Sequence, residues 1–152
     1  MRLPWQKRKP FFTKEEQQQI VVAIRHAERL TSGEVRVFVE SKCTYLDALD
    51  RATELFFKLQ MDETEDRNGV LVYVAVKDKQ LAIFGDRGIH QKVGSAWWEK
   101  EVEKMIQDIY RNNISAGICD IVSDIGKALQ AYFPFDKGTD RNELPDEIVF
   151  GK

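Results

Sequence analysis

Three acidic residues stand beside predicted β-strands. Glu34 directly precedes one strand, Asp66 shortly precedes a second, and Asp86 directly follows a third. Carboxylates held close together repel one another, so a cluster of three needs a cation or bound protons. Oxygen ligands without His or Cys favour a hard ion, Ca²⁺ or Mg²⁺. The sequence therefore indicates a candidate divalent-metal site at Glu34, Asp66 and Asp86.

The same loops carry cationic and amide side chains. Arg67 and Asn68 follow the second acid, and Arg87 follows the third. Arginine recognises phosphate through its planar, bidentate fork, so these residues are candidate phosphate or cleft contacts. The alternative is a solvated rim in which Arg67 and Arg87 neutralise the acids, since charged loops usually face water. From the spacing alone we favour the solvated rim, and the metal site stays open as the alternative.

The predicted strand order brings the three acids together. The strands are predicted at 35–40, 70–76 and 81–85. A helix at about 46–60 separates the first two, which makes them parallel with a right-handed crossover, whereas the short polar segment 77–80 returns the chain antiparallel. The first two strands then begin at the edge of the sheet where the third ends. The three acidic segments are expected to meet at that edge.

The remaining pattern is helical. Thr13 and Glu16 have the spacing of a capping box, and an apolar stripe at helical spacing follows them. Gly33 suits the left-handed position after this helix. Gly117 and Gly126 fall inside the last helix, which indicates close packing there. The predicted helices run at about 13–30, 46–60, 95–111 and 114–132.

The element order α-β-α-β-β-α-α predicts one domain, a three-layer α/β/α sandwich with a small mixed sheet. The run 70–76 is apolar on both faces, so it belongs at the centre of a sheet that is covered on both sides. We divide the chain into a basic N-terminal arm at 1–11, the domain at 12–134 and a polar tail at 135–152. The tail is expected to be a loosely held arm.

Composition excludes several classes of protein. The 152 residues are 43% hydrophobic and 32% charged, as in a globular protein with a core. The net charge of −2 argues against binding nucleic acid through bulk charge. No apolar run approaches the roughly 20 residues of a membrane span. The basic start lacks the apolar stretch of a secretory signal, so we expect a cytoplasmic protein.

Other chemical motifs are not present. The acidic segment 62–66 resembles the start of an EF-hand, but Arg67 stands where that loop needs glycine and Tyr73 where it needs glutamate. No P-loop or Rossmann glycine pattern follows a strand. His90 is close enough in sequence to Asp86 to reach the acidic edge, although a single histidine is more often structural. Any metal would therefore bind through scattered ligands.

Several segments resemble the TPM domain, a family named after a thylakoid lumen protein, a photosystem II repair protein and a nematode receptor modulator. The resemblance covers about 12–134 and is carried by Phe12-Thr13, Ala27-Glu28, Thr31-Ser32-Gly33-Glu34, Asp66-Arg67-Asn68-Gly69-Val70-Leu71 and Phe84-Gly85-Asp86-Arg87-Gly88-Ile89. It implies an α/β/α sandwich and a cleft that binds a divalent metal, usually calcium, with Glu34, Asp66 and Asp86 as cleft acids. Acid phosphatase activity is implied by the plant members, and a regulatory or interaction role by others.

Three functions follow as hypotheses. The first is a calcium- or magnesium-binding domain that acts through a protein partner. The second is a metal-assisted phosphatase, in which Arg67 or Arg87 holds a phosphomonoester. The third is a metal-independent interaction module that uses Trp97 and the basic residues Lys7, Arg8 and Lys9. We favour binding over catalysis, because phosphate esters hydrolyse very slowly without help and the acids are the sole candidate nucleophile or base.

Overall fold

The structure is a computed structural model that describes residues 11–111, 113–135 and 148–151. Within these ranges the predicted helices and strands are present, with ends shifted by at most two residues, and a short helix at 87–93 and a short strand at 148–150 are additional. The elements in chain order are α1 Lys14–Arg29, β1 Glu34–Glu40, α2 Ala48–Lys58, β2 Gly69–Ala75, β3 Gln80–Gly85, α3 Arg87–Val93, α4 Ser95–Tyr110, α5 Ile114–Tyr132 and β4 Ile148–Phe150.

The four strands form one mixed sheet in the order β3-β2-β1-β4. β1 runs parallel to β2 and places Glu34 opposite Gly69, while β2 runs antiparallel to β3 and places Val70 opposite Gly85. The starts of β1 and β2 therefore lie beside the end of β3. The predicted convergence of the three segments is confirmed for the backbone.

The sheet separates two apolar cores, as the three-layer prediction requires. Alternate residues of a strand point to opposite faces. Val35, Val37 and Val39 of β1 belong to the larger core, which also contains buried residues of α1, α3, α4 and α5. Phe38 faces the smaller core, which is closed by α2. Every residue of β2 is buried, so its uninterrupted apolar run is explained by cover on both faces.

Close packing explains the helical glycines. A methyl group added to Gly126 of α5 would lie 2.6 Å from Cβ of Ala27 in α1, and one added to Gly117 would lie 2.8 Å from Cβ of Asp108. The left-handed conformation predicted for Gly33 was wrong: Gly94 is the glycine with positive φ in the described part of the chain. Gly33 is required for space instead, because a Cβ there would lie 2.8 Å from the Leu129 side chain.

The end of the chain corrects the prediction of a loosely held tail. Ile148–Phe150 forms β4, which pairs parallel with β1, and Gly151 N donates a hydrogen bond of 2.7 Å to Val39 O. The rest of the tail, 136–147, lies outside the described residues, as does the basic arm at 1–10. No helix in the described ranges is long and apolar enough to cross a membrane.

Candidate functional site

The acidic edge of the sheet is joined by backbone hydrogen bonds. Glu34 N donates to Asn68 O at 3.3 Å, and Asp86 N donates to Gly69 O at 2.9 Å. Gly88 N donates to Arg67 O at 2.9 Å, and a Cβ on Gly88 would lie 2.1 Å from the Asp66 carbonyl oxygen. The loop before β2 therefore packs directly on the turn after β3. We call this edge, with Glu34, Asp66–Asn68 and Asp86–Gly88, the rim.

Arg67 and Asp86 form a bidentate ion pair across the rim. Arg67 Nε lies 2.6 Å from Asp86 Oδ2, and Arg67 Nη2 lies 2.9 Å from Asp86 Oδ1. The hydrogen bond with Asp86 raises the pKa of the Arg67 guanidinium above its ordinary value. The Asp86 side chain is 3% exposed and that of Arg67 27% exposed. The buried carboxylate is thus already balanced by a cation that reaches it from the surface.

Asp86 is also the N-cap of α3, a helix that was not predicted from the sequence. Its Oδ1 accepts a hydrogen bond of 2.7 Å from Arg87 N at the first turn. Aspartate is a preferred N-cap because its carboxylate satisfies a backbone N–H that has no partner within the helix. An aspartate directly after a predicted strand is a typical helix N-cap, and this signal could have indicated α3. One carboxylate therefore serves both an ion pair and a helix cap.

The other predicted site residues have different surroundings. Glu34 and Asn68 are buried, whereas Asp66 is exposed. Asn68 N donates to Thr64 Oγ1 at 3.2 Å, and Asn68 Nδ2 donates to Ser32 Oγ at 3.3 Å. The rim thus unites the three segments, but their carboxylates do not form a cage. Across the described ranges, no group of three or more His, Cys, Asp or Glu side chains could hold a metal ion.

A cleft of about 520 Å³ opens beside the rim. Its polar wall contains Arg67, Asp86, Arg87 and His90. His90 Nδ1 accepts a hydrogen bond of 3.0 Å from Trp98 Nε1, so the neutral imidazole carries its proton on Nε2. The other lining residues are Leu49, Phe57, Ile83, Phe84, Gly85, Ser95, Trp98 and Glu99.

The apolar wall of this cleft was not predicted from the sequence. Leu49 and Trp98 belong to helical stripes that are typical of core residues, and sequence spacing does not reveal which part of a stripe extends past the edge of the sheet. Trp98 is 8% exposed, and Trp97 is partly exposed. Residues 7–9, which the interaction hypothesis combined with Trp97, lie outside the described residues.

Comparison with protein families gives one family model, the TPM domain, which matches residues 7–128. The chain belongs to the TPM-domain family. A search of curated proteins gives no match.

Solved structures give the same fold. The solution structure of BA42 from the psychrophilic bacterium Bizionia argentinensis is similar with a TM-score of 0.86 and 42% identity, over 95% of this chain and 99% of that one. The N-terminal domain of cg2496 from Corynebacterium glutamicum has a TM-score of 0.63 and 12% identity, over 78% of this chain and 74% of that one. The N-terminal domain of a protein from P. gingivalis has a TM-score of 0.62 and 16% identity, over 80% of this chain and 78% of that one. These last two show the fold alone.

Proposed function

We propose that the rim binds a divalent cation, calcium or magnesium, in exchange for the Arg67 side chain, and that the domain acts in regulation or interaction and not in catalysis. One observation carries the proposal: the buried Asp86 carboxylate already holds a cation at the point where three chain segments meet. The donor chemistry fits a hard ion, because Glu34, Asp66 and Asp86 offer oxygen alone. The side chains would have to turn toward one another to make a complete ligand set.

The ion has to replace the Arg67 side chain, because both would bind the same Asp86 carboxylate. Two cations cannot share one carboxylate without repulsion, so an ion at Asp86 displaces the Arg67 guanidinium. Arg67 is the partner that can leave, since its side chain is 27% exposed and it sits on a turn with φ of 50°. The exposed Asp66 is next to it in the chain. Competition with Arg67 makes binding weak, and we expect a Kd for calcium on the order of 10⁻⁴–10⁻³ M.

The test is a calcium titration of the full chain, followed by backbone amide shifts. We expect the shifts to concentrate at residue 34, at 66–69 and at 86–90. The Asp86→Asn and Asp66→Asn variants should bind calcium more weakly, whereas Asp120→Asn, which removes an exposed acid on α5, should bind as the parent chain does. An unchanged affinity in Asp86→Asn, or shifts confined to other segments, would refute the metal site.

The exchange itself has a separate test. Replacing Arg67 by Gln removes the competing cation and keeps a polar side chain at the turn. Calcium should then bind more tightly than to the parent chain, and the bound ion should raise the Tm of the Arg67→Gln variant more than that of the parent. Weaker binding in this variant would show that Arg67 supports the site and does not compete for it.

Hydrolysis of phosphomonoesters is a second candidate, because the cleft places Arg87 and His90 beside Asp86. Arg87 is exposed and suits a phosphate group. A bound metal would supply Lewis-acid polarisation of a phosphoryl oxygen. Turnover of an aryl phosphate by the purified chain, reduced in both Arg87→Ala and Asp86→Asn, would rank this function first. Absence of turnover in the presence of calcium or magnesium would remove it.

A further inference from the structure

β3 is an edge strand whose outward backbone groups can be assigned from the ladder. Asp86 N donates to Gly69 O, so Asp86 and Gly69 form a hydrogen-bonded pair of the ladder between β3 and β2. Antiparallel ladders alternate, and Phe84 and Ala82 therefore also bond to β2. The N–H and C=O groups of Gly85, Ile83 and Leu81 then point away from the sheet. None of these N–H groups donates a hydrogen bond to another described residue outside the ladder.

A groove follows this edge. The cleft beside the rim adjoins a second cavity of about 410 Å³, and the two share Leu49, Ile83, Trp98 and Glu99. Leu49 of α2 lines one side of β3 and is 46% exposed, while Trp98 and Val102 of α4 line the other. The edge of β3 thus lies at the bottom of a groove with apolar walls formed by two helices.

The two ends of the groove carry opposite charges. Arg87 and His90 lie at the end beside Gly85 and the rim. Asp47 and Glu103 lie at the other end, near the start of β3, and Glu99 lies between the ends. A ligand that complements the groove is therefore apolar in the middle, acidic near Arg87 and basic near Glu103.

We propose that the groove binds an extended peptide segment of a protein partner, which adds to β3 as an antiparallel strand. The segment has a short apolar run, with acidic residues before it and basic residues after it. Backbone hydrogen bonds to Leu81, Ile83 and Gly85 give affinity, and the side chains alternate between the α2 wall and the α4 wall. The proposal goes beyond the metal hypothesis and does not depend on a bound ion.

A second copy of the chain fits this edge less well. Paired strands lie about 4.8 Å apart, and the helices that flank β3 in one copy would meet the same helices of the other before the edges reached that distance. A single extended chain has no such walls. β3 has six residues, a length that one extended segment of similar size can cover.

The first test uses the full chain and the blocked peptide Asp-Asp-Val-Ile-Val-Ile-Lys-Lys. On saturation, amide hydrogen exchange should slow by at least about tenfold at Leu81, Ile83 and Gly85. The amides of Ala82 and Phe84, which bond to β2, should keep their rates. Peptide N-methylated at the positions that face β3 should not bind, and peptide N-methylated at the alternate positions should bind as the parent peptide does.

The second test reverses the charge of the two acidic side chains that α4 contributes to the groove, Glu103 at its acidic end and Glu99 between the ends. The double variant Glu99→Lys with Glu103→Lys should weaken binding by about fivefold, and a peptide that ends in Glu-Glu instead of Lys-Lys should recover it. The matched control is Glu15→Lys with Asp120→Lys, which changes the net charge equally at exposed positions outside the groove. Equal weakening in the control would mean that only net charge matters and would overturn the assignment.

Three further outcomes would overturn the proposal. The first is peptide binding without slower exchange at β3. The second is slower exchange at β3 without peptide, together with a dimer in sedimentation, which would assign the edge to a second copy. The third is peptide binding that disappears when EDTA removes calcium, which would assign the contact to the rim. Peptide binding retained in EDTA supports the groove whether or not the rim binds metal.

Discussion

Arg67 and Asp86, nineteen residues apart in the chain, form a two-bond ion pair of 2.6 Å and 2.9 Å that links the loop before β2 to the start of α3. The same carboxylate accepts the Arg87 N–H at the helix N-terminus. A negative charge there also interacts favourably with the first turn of the helix. This single buried acid therefore fixes the rim, and any added cation must compete for it.

Two substitutions at Asp86 separate the cap from the ion pair. Asparagine can still accept the Arg87 N–H but loses the charge, whereas alanine loses both. We expect Asp86→Asn to lower the free energy of unfolding by about 1–3 kcal/mol and Asp86→Ala by about 1 kcal/mol more, measured by urea unfolding. Asp66→Asn, at an exposed position, should stay within about 0.5 kcal/mol of the parent. Equal values for the two Asp86 variants would show that the cap contributes nothing.

Glu101 makes the stability of the domain depend on pH. Burial, followed by the neighbouring Asp124, raises the pKa of Glu101 from 4.5 to about 7, although Lys104 Nζ lies 3.9 Å from its Oε2. Lys104 is mainly held by Asp124, at 2.5 Å. The folded state therefore binds a proton that the unfolded state releases between these two pKa values. The contribution of this proton to the free energy of unfolding is fully present below about pH 4.5 and is lost as the pH rises through about 7.

The Glu101→Gln variant tests this dependence. Glutamine keeps the shape without the charge, so it should stabilise the protein at about pH 8 by on the order of 1 kcal/mol after solvent screening. The difference from the parent should vanish near pH 4. Thermal unfolding across this range measures it, with the exposed Glu103→Gln as control. A pH-independent difference would contradict the raised pKa.

The hydroxyl of Tyr73 supports a buried acid in the smaller core. Tyr73 donates to Glu40, and Arg51 binds the same carboxylate at 2.9 Å and 3.1 Å. Burial raises the pKa of Tyr73, so it remains a donor. Tyr73→Phe should lower the free energy of unfolding by about 1–2 kcal/mol. Tyr110→Phe, at a side chain that is 72% exposed, should leave urea unfolding unchanged, and a similar loss in both variants would argue against the buried bond.

The contact between α1 and α5 depends on Gly126. Alanine there would gain about 1 kcal/mol of helix propensity but would bring a methyl group to 2.6 Å from Cβ of Ala27. Overpacking outweighs the gain, and we expect a net loss of about 1–2 kcal/mol in thermal unfolding. Adding Ala27→Gly should recover part of it. Ser123→Ala, on the exposed side of α5, should not destabilise, and no loss in Gly126→Ala would show that the helices can separate.

Local signals were sufficient for most of the fold. The capping box of Thr13 and Glu16 is formed, with hydrogen bonds of 2.9 Å and 3.1 Å, because capping depends on residues three apart in sequence. The alternation of Val35, Val37 and Val39 fixed the face of β1, since a strand has a period of two. The order of elements then determined the edge at which the three acidic segments meet, because short connections have few possible topologies.

Tertiary structure alone decided what that edge contains. The sequence offered Arg67 both as a neutralising group and as a phosphate contact, and only its position opposite Asp86 gave the ion pair. β4 has three residues, too few to predict without the partner strand β1 beside them. The groove along β3 requires helices from distant parts of the chain on either side of one edge. Hydrophobic periodicity indicates which face of a helix or strand is apolar. Strand pairing, side-chain exposure and charge balance depend instead on neighbours that only folding brings close.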